Sequence, residues 1–299
     1  MRSRAAATDV LLLTTVVIWA FNFTVTKYVL THGFQPLAFS AVRYGLAAVL
    51  FAGLTLAMER TLAVHGKGAV GLIALSVLVL WLNQICFVYA LKLTTATTAA
   101  ILLGTTPVFT VLFSHLAGVE RLSPRFWVAA LVSLAGVALV AVGSGGELSG
   151  DLGGSLLAVG MAATWAVYSV AITPLMGRYS PYRISAIVLL AMWVPLIAIS
   201  APQVSDQDFG SLGWAVWLGL AYAVLGPLVL TNVLWFTAIR RVGPSRATIF
   251  ANFQPFVAAI FALLLLSEEL TGPEIAGGLA IGCGILLARG RPTVAAPAE

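Results

Sequence analysis

A duplicated stretch constrains this sequence more than any other feature. Residues 82–136 align with residues 230–284, without a gap, when one copy is shifted by 148 positions. Matching residues recur along the alignment: Asn83 and Thr231, Lys92 and Arg240, Pro107 and Pro255, Glu120 and Glu268, and Gly136 and Gly284. A repeat of this length indicates a fold built from two related halves.

The composition restricts what the two halves can be. Of the 299 residues, 60% are hydrophobic and only 9% are charged, whereas a soluble domain carries about 25% charged residues. Apolar runs of roughly 20 residues, long enough to cross a bilayer, recur along the chain. We therefore predict an all-α integral membrane protein. The net charge of +5 then fits the positive-inside rule of membrane proteins rather than a nucleic-acid partner.

Glycine- and proline-containing breaks divide the apolar runs into ten predicted transmembrane helices. These spans are residues 9–30, 36–58, 68–91, 95–117, 124–143, 153–176, 182–201, 211–238, 245–267 and 272–289. The first run is too long for a signal peptide and lacks a small-x-small cleavage site, so we interpret it as a retained helix. Residues 1–143 and 152–291 each hold five spans, and residues 292–299 are predicted to be a disordered tail.

The distribution of basic residues predicts the orientation. With the N-terminus in the cytoplasm, only Lys27 and Lys92 face outside and Arg43 lies within a span; every other one of the 16 Lys and Arg residues is cytoplasmic. This asymmetry predicts that both termini are cytoplasmic. Because five spans is an odd number, the second half must enter from the opposite side. The two five-helix repeats are thus predicted to have inverted topology, which is typical of secondary transporters.

Helix breakers occupy equivalent positions in the fourth and ninth spans. The two breaks are Gly104-Thr105-Thr106-Pro107 and Asn252-Phe253-Gln254-Pro255. Matched interruptions of this kind predict a binding site near the middle of the bilayer. A packing kink is the alternative interpretation, because membrane helices tolerate proline. The cavity candidates from the breaks are Thr105, Pro107, Asn252, Gln254 and Pro255.

Polar and aromatic residues in four other spans complete the candidate cavity. They are Trp19, Asn22, Phe23, Asn83, Gln84, Tyr89, Trp165, Tyr168, Thr231, Asn232 and Trp235. Amides within a span are expected to face protein or water rather than lipid. For Trp19 and Trp165, core packing is the alternative to lining a pocket. Together the set predicts an apolar, aromatic pocket in which amides and hydroxyls orient a substrate.

Arg43 is the only charged residue well inside a predicted span. A charge at that depth costs several kcal/mol unless it is paired or hydrated. One interpretation is a counter-ion for a substrate carboxylate, with Lys27 as a second cation. The alternatives are snorkelling to the outer head groups and hydrogen bonds to backbone carbonyls.

The motifs that are missing narrow the function further. Every carboxylate falls near a span end or in a loop, and the sequence has no metal-ligand, Ser-His or nucleotide-binding motif. We therefore expect no enzyme activity, no cofactor, no metal and no coupling through an intramembrane carboxylate. The expected partners are a small-molecule substrate and the lipid bilayer. A set of small residues, Gly136, Gly277, Gly278, Gly282 and Gly284, predicts close helix packing within a functional monomer, with a dimer face as the alternative.

A recurring element in the fourth helix of each half resembles a known family. The element reads Pro107-x12-Glu120-Arg121-Leu122 and Pro255-x12-Glu268-Glu269-Leu270. It resembles the EamA repeats of the drug/metabolite transporter superfamily, and within that family the chain is most similar to aromatic amino-acid exporters of the YddG type. The resemblance implies ten helices around a central cavity and a place in the bacterial inner membrane. The first helix offers Asn22 and Lys27 where four-helix multidrug relatives use a carboxylate, which argues against proton–drug antiport.

Three functions remain as hypotheses. The first is a secondary exporter of amino acids, especially aromatic or hydrophobic ones, and related metabolites by alternating access, since a zwitterion needs apolar walls, amides and a cation. The second is a carrier of nucleotide sugars, organic phosphates or lipophilic cations. Phosphates would call for several embedded basic residues, and a lipophilic cation for an embedded carboxylate. The third is a membrane-embedded enzyme or a channel.

Overall fold

Helices account for nearly all of the structure. The computed structural model describes residues 2–118, 124–143, 150–242, 251 and 253–288, and these residues contain no β-strand. Its α-helices are α1 (Arg2–Thr31), α2 (Pro36–Glu59), α3 (Lys67–Leu93), α4 (Ala96–Leu103), α5 (Thr106–Leu116), α6 (Pro124–Gly143), α7 (Gly150–Met176), α8 (Pro181–Asp206), α9 (Trp214–Val224), α10 (Thr231–Val242), α11 (Gln254–Leu265) and α12 (Gly272–Ala288). A π-helical segment, Leu225–Leu230, joins α9 to α10.

Eight helical segments among the described residues are long and apolar enough to cross a membrane. Six of them come from single helices, and two are composite, since α4 continues into α5 and α9 continues through the π segment into α10. The helices α11 and α12 are apolar but shorter. The prediction of an all-helical, multi-pass membrane protein is therefore confirmed.

Apolar side chains, including large ones such as Phe39 and Phe51, fill the inside of the helix bundle, and others cover its outside. Small residues such as Ala47, Ala90 and Ala158 are fully buried, whereas Trp214 and Leu264 are 79% and 74% exposed. Small residues let neighbouring helices approach closely, while lipid solvates large apolar side chains as well as the protein interior does. The exposed apolar surface is thus the face that the bilayer covers.

Polar contacts tie α2 to α8 along an antiparallel interface. Near one end, the backbone N–H of Leu37 donates to Oε1 of Gln203 over 2.8 Å. At the other end, Arg183 forms an ion pair with Glu59 at 2.7 Å. Since residue numbers rise in α2 as they fall in α8, the two helices run in opposite directions.

The end of α8 differs from the sequence prediction. The helix continues to Asp206, although Pro202 led us to expect an end at residue 201. A proline removes only one backbone donor, and the turn that follows it is held by its neighbours. Gln203 accepts from the backbone of α2, and its Nε2 donates to the hydroxyl of Tyr89 over 3.0 Å. These contacts stabilise a turn that the isolated sequence would not keep helical.

Glycines bring α6 and α12 into backbone contact. A Cβ atom on Gly136 would lie 2.7 Å from the carbonyl oxygen of Gly277, and one on Gly277 would lie 2.5 Å from that of Gly136. A Cβ atom on Gly284 would lie 2.8 Å from the carbonyl oxygen of Ala129. Three of the five glycines singled out in the sequence therefore pack within the chain. We call this contact the glycine seam.

Two neighbouring glycines of α12 provide a matched test of the seam. We expect Gly277→Ala to lower the apparent melting temperature in detergent, because a methyl group forced against backbone costs about 1–3 kcal/mol. Gly278→Ala gains the same helix propensity, and its Cβ atom would meet Ile101 at an ordinary 3.4 Å. Equal melting temperatures for the two variants would contradict the close approach.

Candidate functional site

The interruption expected in the fourth span is present between α4 and α5. The first helix ends at Leu103 and the second begins at Thr106. Pro107 cannot donate the hydrogen bond that the carbonyl of Leu103 would accept in a continuous helix. The hydroxyl of Thr106 donates to that carbonyl instead, over 2.7 Å, and the hydroxyl of Thr105 donates to the carbonyl of Leu102 over 2.7 Å. Two threonines therefore satisfy backbone groups at the break.

The breaks of the two halves meet each other in the fold. The helix α11 begins at Gln254 and carries Pro255 in its first turn. A Cβ atom on Gly104 would lie 3.5 Å from Cγ of Pro255, so the break of one half packs against the break of the other. Asn252, a predicted cavity residue, lies outside the described residues.

Trp19 anchors α1 to the eighth span. Its indole N–H lies 2.8 Å from the hydroxyl oxygen of Thr231 and 3.3 Å from the carbonyl oxygen of Pro227. Its ring packs against that of Trp235, with centroids 5.1 Å apart. Asn232 donates to the carbonyl of Leu228 in its own helix. Trp19, Thr231 and Trp235, which the sequence predicted as cavity residues, thus form one cluster.

Arg43 supplies a backbone hydrogen bond that is missing in the same span. Pro227 lies within the π segment and lacks the N–H that the carbonyl of Ala223 would bind in an α-helix. Nε of Arg43 donates to this carbonyl over 3.1 Å. Of the interpretations left open for Arg43, the hydrogen bond to a backbone carbonyl is therefore realised in this structure.

Aromatic rings enclose the rest of the Arg43 guanidinium group. Arg43 is only 3% exposed. Its Cζ atom lies 5.9 Å from the ring centroid of Phe39, 5.5 Å from that of Tyr44 and 5.7 Å from that of Phe87. Ring faces at these distances attract a cation. Within the described part of the chain, only Nε of this guanidinium has a hydrogen-bond acceptor, so both terminal nitrogens remain available as donors.

Phe23 continues this aromatic enclosure towards α1. Its ring packs edge-on against Phe87, with centroids 5.5 Å apart. The enclosure therefore draws on α1, α2 and α3 from the first half and, through Ala223, on α9 from the second half.

Three predicted cavity residues of α3 hold helices together. Asn83 donates to the carbonyl of Met161 over 2.8 Å and to the hydroxyl of Thr164 over 3.1 Å, which links α3 to α7. Gln84 donates to the hydroxyl of Ser40 over 3.0 Å, which links α3 to α2. Tyr89 accepts from Gln203 of α8. As predicted, these amides face protein rather than lipid.

The remaining candidates lie on α1 and α7. Trp165 is 37% exposed, and its ring lies 5.5 Å from that of Tyr168. Asn22 is buried and accepts a hydrogen bond from the hydroxyl of Thr26 over 3.4 Å. Their lining of a cavity stays a prediction.

Some partners of the site were missed by sequence reasoning. Phe39 lies one turn before Arg43, so helical spacing could have suggested it. Tyr44 follows Arg43 directly, a spacing that does not predict a contact on a helix. Phe87 gave no such signal because it belongs to another helix. Lys27, expected as a second cation near Arg43, instead donates to the carbonyls of Leu91 and Thr94 at the end of α3, over 2.8 and 2.7 Å. A cation is favourable there because helix C-termini carry partial negative charge.

Comparisons of this chain with a family model, with related sequences and with a solved structure agree with one another. A model of the EamA-like transporter family matches residues 6–142 and again residues 152–290. The chain is 27% identical over 285 residues to YedA, an uncharacterized inner membrane transporter of Escherichia coli K12, covering 92% of this chain and 88% of that protein. It is 28% identical over 291 residues to an uncharacterized transporter of Archaeoglobus fulgidus, covering 94% and 96% of the two chains. A crystal structure with 20% identity superposes with a TM-score of 0.65 over 95% of this chain and 96% of the other, which shows a common fold.

The threonines near the fourth-span break allow a controlled test. We expect Thr106→Val to lower stability in detergent, because the Leu103 carbonyl would lose its donor, at a cost of about 1–3 kcal/mol. Thr110→Val is the control: the Thr110 hydroxyl donates to the carbonyl of Thr106, which also lies within the regular helix α5. An equal loss of thermal stability in the two variants would contradict this role for Thr106.

Proposed function

Because this chain belongs to the EamA-like transporter family, we propose that it exports amino acids and related small metabolites across the bacterial inner membrane by alternating access. Aromatic and hydrophobic amino acids are the proposed main substrates. The chain is a multi-pass membrane transporter of the drug/metabolite type. The proposal adds the substrate class, the direction of transport and the mechanism.

Two contacts between the halves are equivalent to each other under the repeat, which supports inverted repeats. The 148-residue shift relates Gly136 to Gly284 and Ala129 to Gly277. Gly136 contacts Gly277, and Ala129 contacts Gly284, so exchanging the halves turns each contact into the other. Residue numbers fall along α6 as they rise along α12, so the helices are antiparallel. Antiparallel equivalent helices are expected when a pseudo-two-fold axis in the membrane plane relates the halves.

A second pair of polar contacts supports the same relation. Asn83 of α3 bonds to Thr164 of α7, and Thr231, the counterpart of Asn83, bonds to Trp19 of α1. Trp19 and Trp165 are 146 residues apart, so Trp19 corresponds to the residue directly after Thr164. Inverted repeats that exchange conformations would provide alternating access. The glycine seam lies within one chain, which supports a functional monomer.

The Arg43 enclosure is the observation that carries the proposed substrate class. A buried guanidinium with two terminal nitrogens available can bind a carboxylate with two parallel hydrogen bonds. Aromatic rings next to it would contact an apolar or aromatic side chain. Organic phosphates and nucleotide sugars are less well served, because Arg43 is the one cation buried among the described residues and phosphates bind best to clusters of basic groups.

Cysteine labelling tests the proposed topology. In a background with Cys86 and Cys283 replaced by alanine, we expect a membrane-impermeant maleimide to label Ser211→Cys in intact cells. Ala63→Cys should react only after permeabilisation, because the α2–α3 loop is proposed to be cytoplasmic and the α8–α9 loop external. Both positions are exposed. Labelling of both sites, or of Ala63→Cys alone, in intact cells would contradict the proposed orientation.

Counterflow in proteoliposomes tests the substrate class and the role of Arg43. Tryptophan and tryptamine differ only in the carboxylate, so we expect the wild-type protein to exchange tryptophan much faster. Arg43→Gln should slow tryptophan exchange by more than about tenfold, since removing one partner of a buried charge pair costs about 2–5 kcal/mol. Arg43→Lys keeps the charge but loses the planar fork, so its rate should lie between the two.

Lys92→Gln serves as the control, because it removes one positive charge from an exposed position at the end of α3. It should exchange tryptophan at the wild-type rate. Equal exchange of tryptophan and tryptamine by the wild-type protein, or a wild-type rate in Arg43→Gln, would contradict carboxylate recognition by Arg43.

A further inference from the structure

Charged side chains hold the short turn between α3 and α4 from two sides. Lys27, from α1, donates to carbonyls at the C-terminus of α3. Glu268, from the loop between α11 and α12, accepts from the first two backbone N–H groups of α4, those of Ala96 and Thr97, over 2.8 and 2.9 Å. A carboxylate is favourable at this position, because helix N-termini carry partial positive charge and unpaired N–H groups.

A second carboxylate reinforces the contact of Glu268 with α4. Glu274, in the first turn of α12, is only 2% exposed. One of its oxygens accepts from the hydroxyl of Thr98 in α4 over 2.7 Å. The other accepts from the backbone N–H and the hydroxyl of Thr271, both over 2.9 Å. Both carboxylates belong to the second half of the chain, whereas α4 belongs to the first half.

The spacing of the repeated proline–glutamate element explains why both ends of α4 are held. Pro255 packs against Gly104 at the C-terminal end of α4, and Glu268 binds its N-terminal end. The eight residues of α4 span about 12 Å at 1.5 Å per residue. The element that begins at Pro255 and ends at Glu268 therefore contacts a single helix of the other half at both of its ends. Glu120, the counterpart of Glu268, lies outside the described residues.

We propose that Glu268 is a gating residue: its contact with the N-terminus of α4 keeps the two halves together at the end of the molecule where α3 meets α4. For a cavity to open at this end, α4 must separate from the α11–α12 loop, and the hydrogen bonds of Glu268 and Glu274 to α4 must break. The interruption between α4 and α5 at Gly104 and Thr105 is the proposed hinge about which the N-terminus of α4 moves outward. This inference concerns how the transporter opens and is independent of the substrate proposed above.

The strength of the contact sets the expected effect. Hydrogen bonds to a charged group contribute more than neutral ones, and a carboxylate at a helix N-terminus gains further from the helix dipole. Neutralising Glu268 should therefore favour the open state, raising the ratio of open to closed molecules by about tenfold or more.

Distance measurements between spin labels test the gate without any substrate. Labels are attached at Leu93→Cys, the last residue of α3, and at Gly272→Cys, the first residue of α12, with Cys86 and Cys283 replaced by alanine. We expect Glu268→Gln and Glu268→Ala to increase the long-distance population about tenfold relative to the parent. Glu269→Gln is the matched control, because Glu269 is the adjacent residue, is exposed and has no hydrogen-bond partner among the described residues. Its distances should equal those of the parent.

A reversible cross-link covers the case in which the Glu268 variants do not fold. Leu93→Cys and Gly272→Cys, which leave Glu268 in place, are joined by a short bis-methanethiosulfonate linker with Cys86 and Cys283 replaced by alanine. This bridge should arrest tryptophan counterflow, and a reducing agent, which cleaves the two disulfide bonds of the linker, should restore it. Unchanged spin-label distances in both Glu268 variants, or full transport by the bridged protein, would overturn the gate. A wild-type protein that moves no amino acid, combined with a shifted distance in Glu268→Gln, would instead refute the substrate class and leave the gate standing.

Discussion

Every backbone N–H and carbonyl group in the hydrocarbon region needs a partner within the protein, and this requirement governs the structure. Prolines interrupt the backbone hydrogen bonds of the helices at several positions, and side chains replace the hydrogen bonds that are lost. Thr106 serves the carbonyl of Leu103 beside Pro107, and Arg43 serves that of Ala223 beside Pro227. Both side chains bring polar groups into the bundle. Arg43 brings a charge as well, and in the proposed function the same guanidinium also binds the substrate carboxylate.

Sequence reasoning succeeded where the cause is local. The spans could be predicted because bilayer thickness fixes their length, and the break at Gly104–Pro107 because proline lacks a donor. It failed where tertiary contacts decide the outcome: α8 passes Pro202 because Gln203 is held by two other helices. The hydrogen-bond partners of Arg43 and Glu268 lie far away in the chain, on helices whose packing no single sequence reveals. Asn83 and Gln84 were correctly expected to face protein, but their specific partners were not predictable.

The two halves contact each other through interfaces of different chemical character. Along the glycine seam, α6 and α12 touch through backbone atoms and small residues. At the α3–α4 turn, carboxylates bind individual N–H and hydroxyl groups. The first interface is a continuous packing contact, whereas the second consists of a few discrete, directional bonds. A conformational change that preserves the seam and breaks the carboxylate contacts would therefore meet its main barrier at the turn.

The close approach at the seam has a mechanical consequence. Helices whose side chains interlock rotate only in jumps between rotamer arrangements. At the seam, the side chains of Val140, Ile281 and Ser133 lie where the glycines of the opposite helix lack a Cβ atom, so α6 and α12 are interlocked. The two helices are therefore expected to move as one rigid unit that belongs to both halves of the chain.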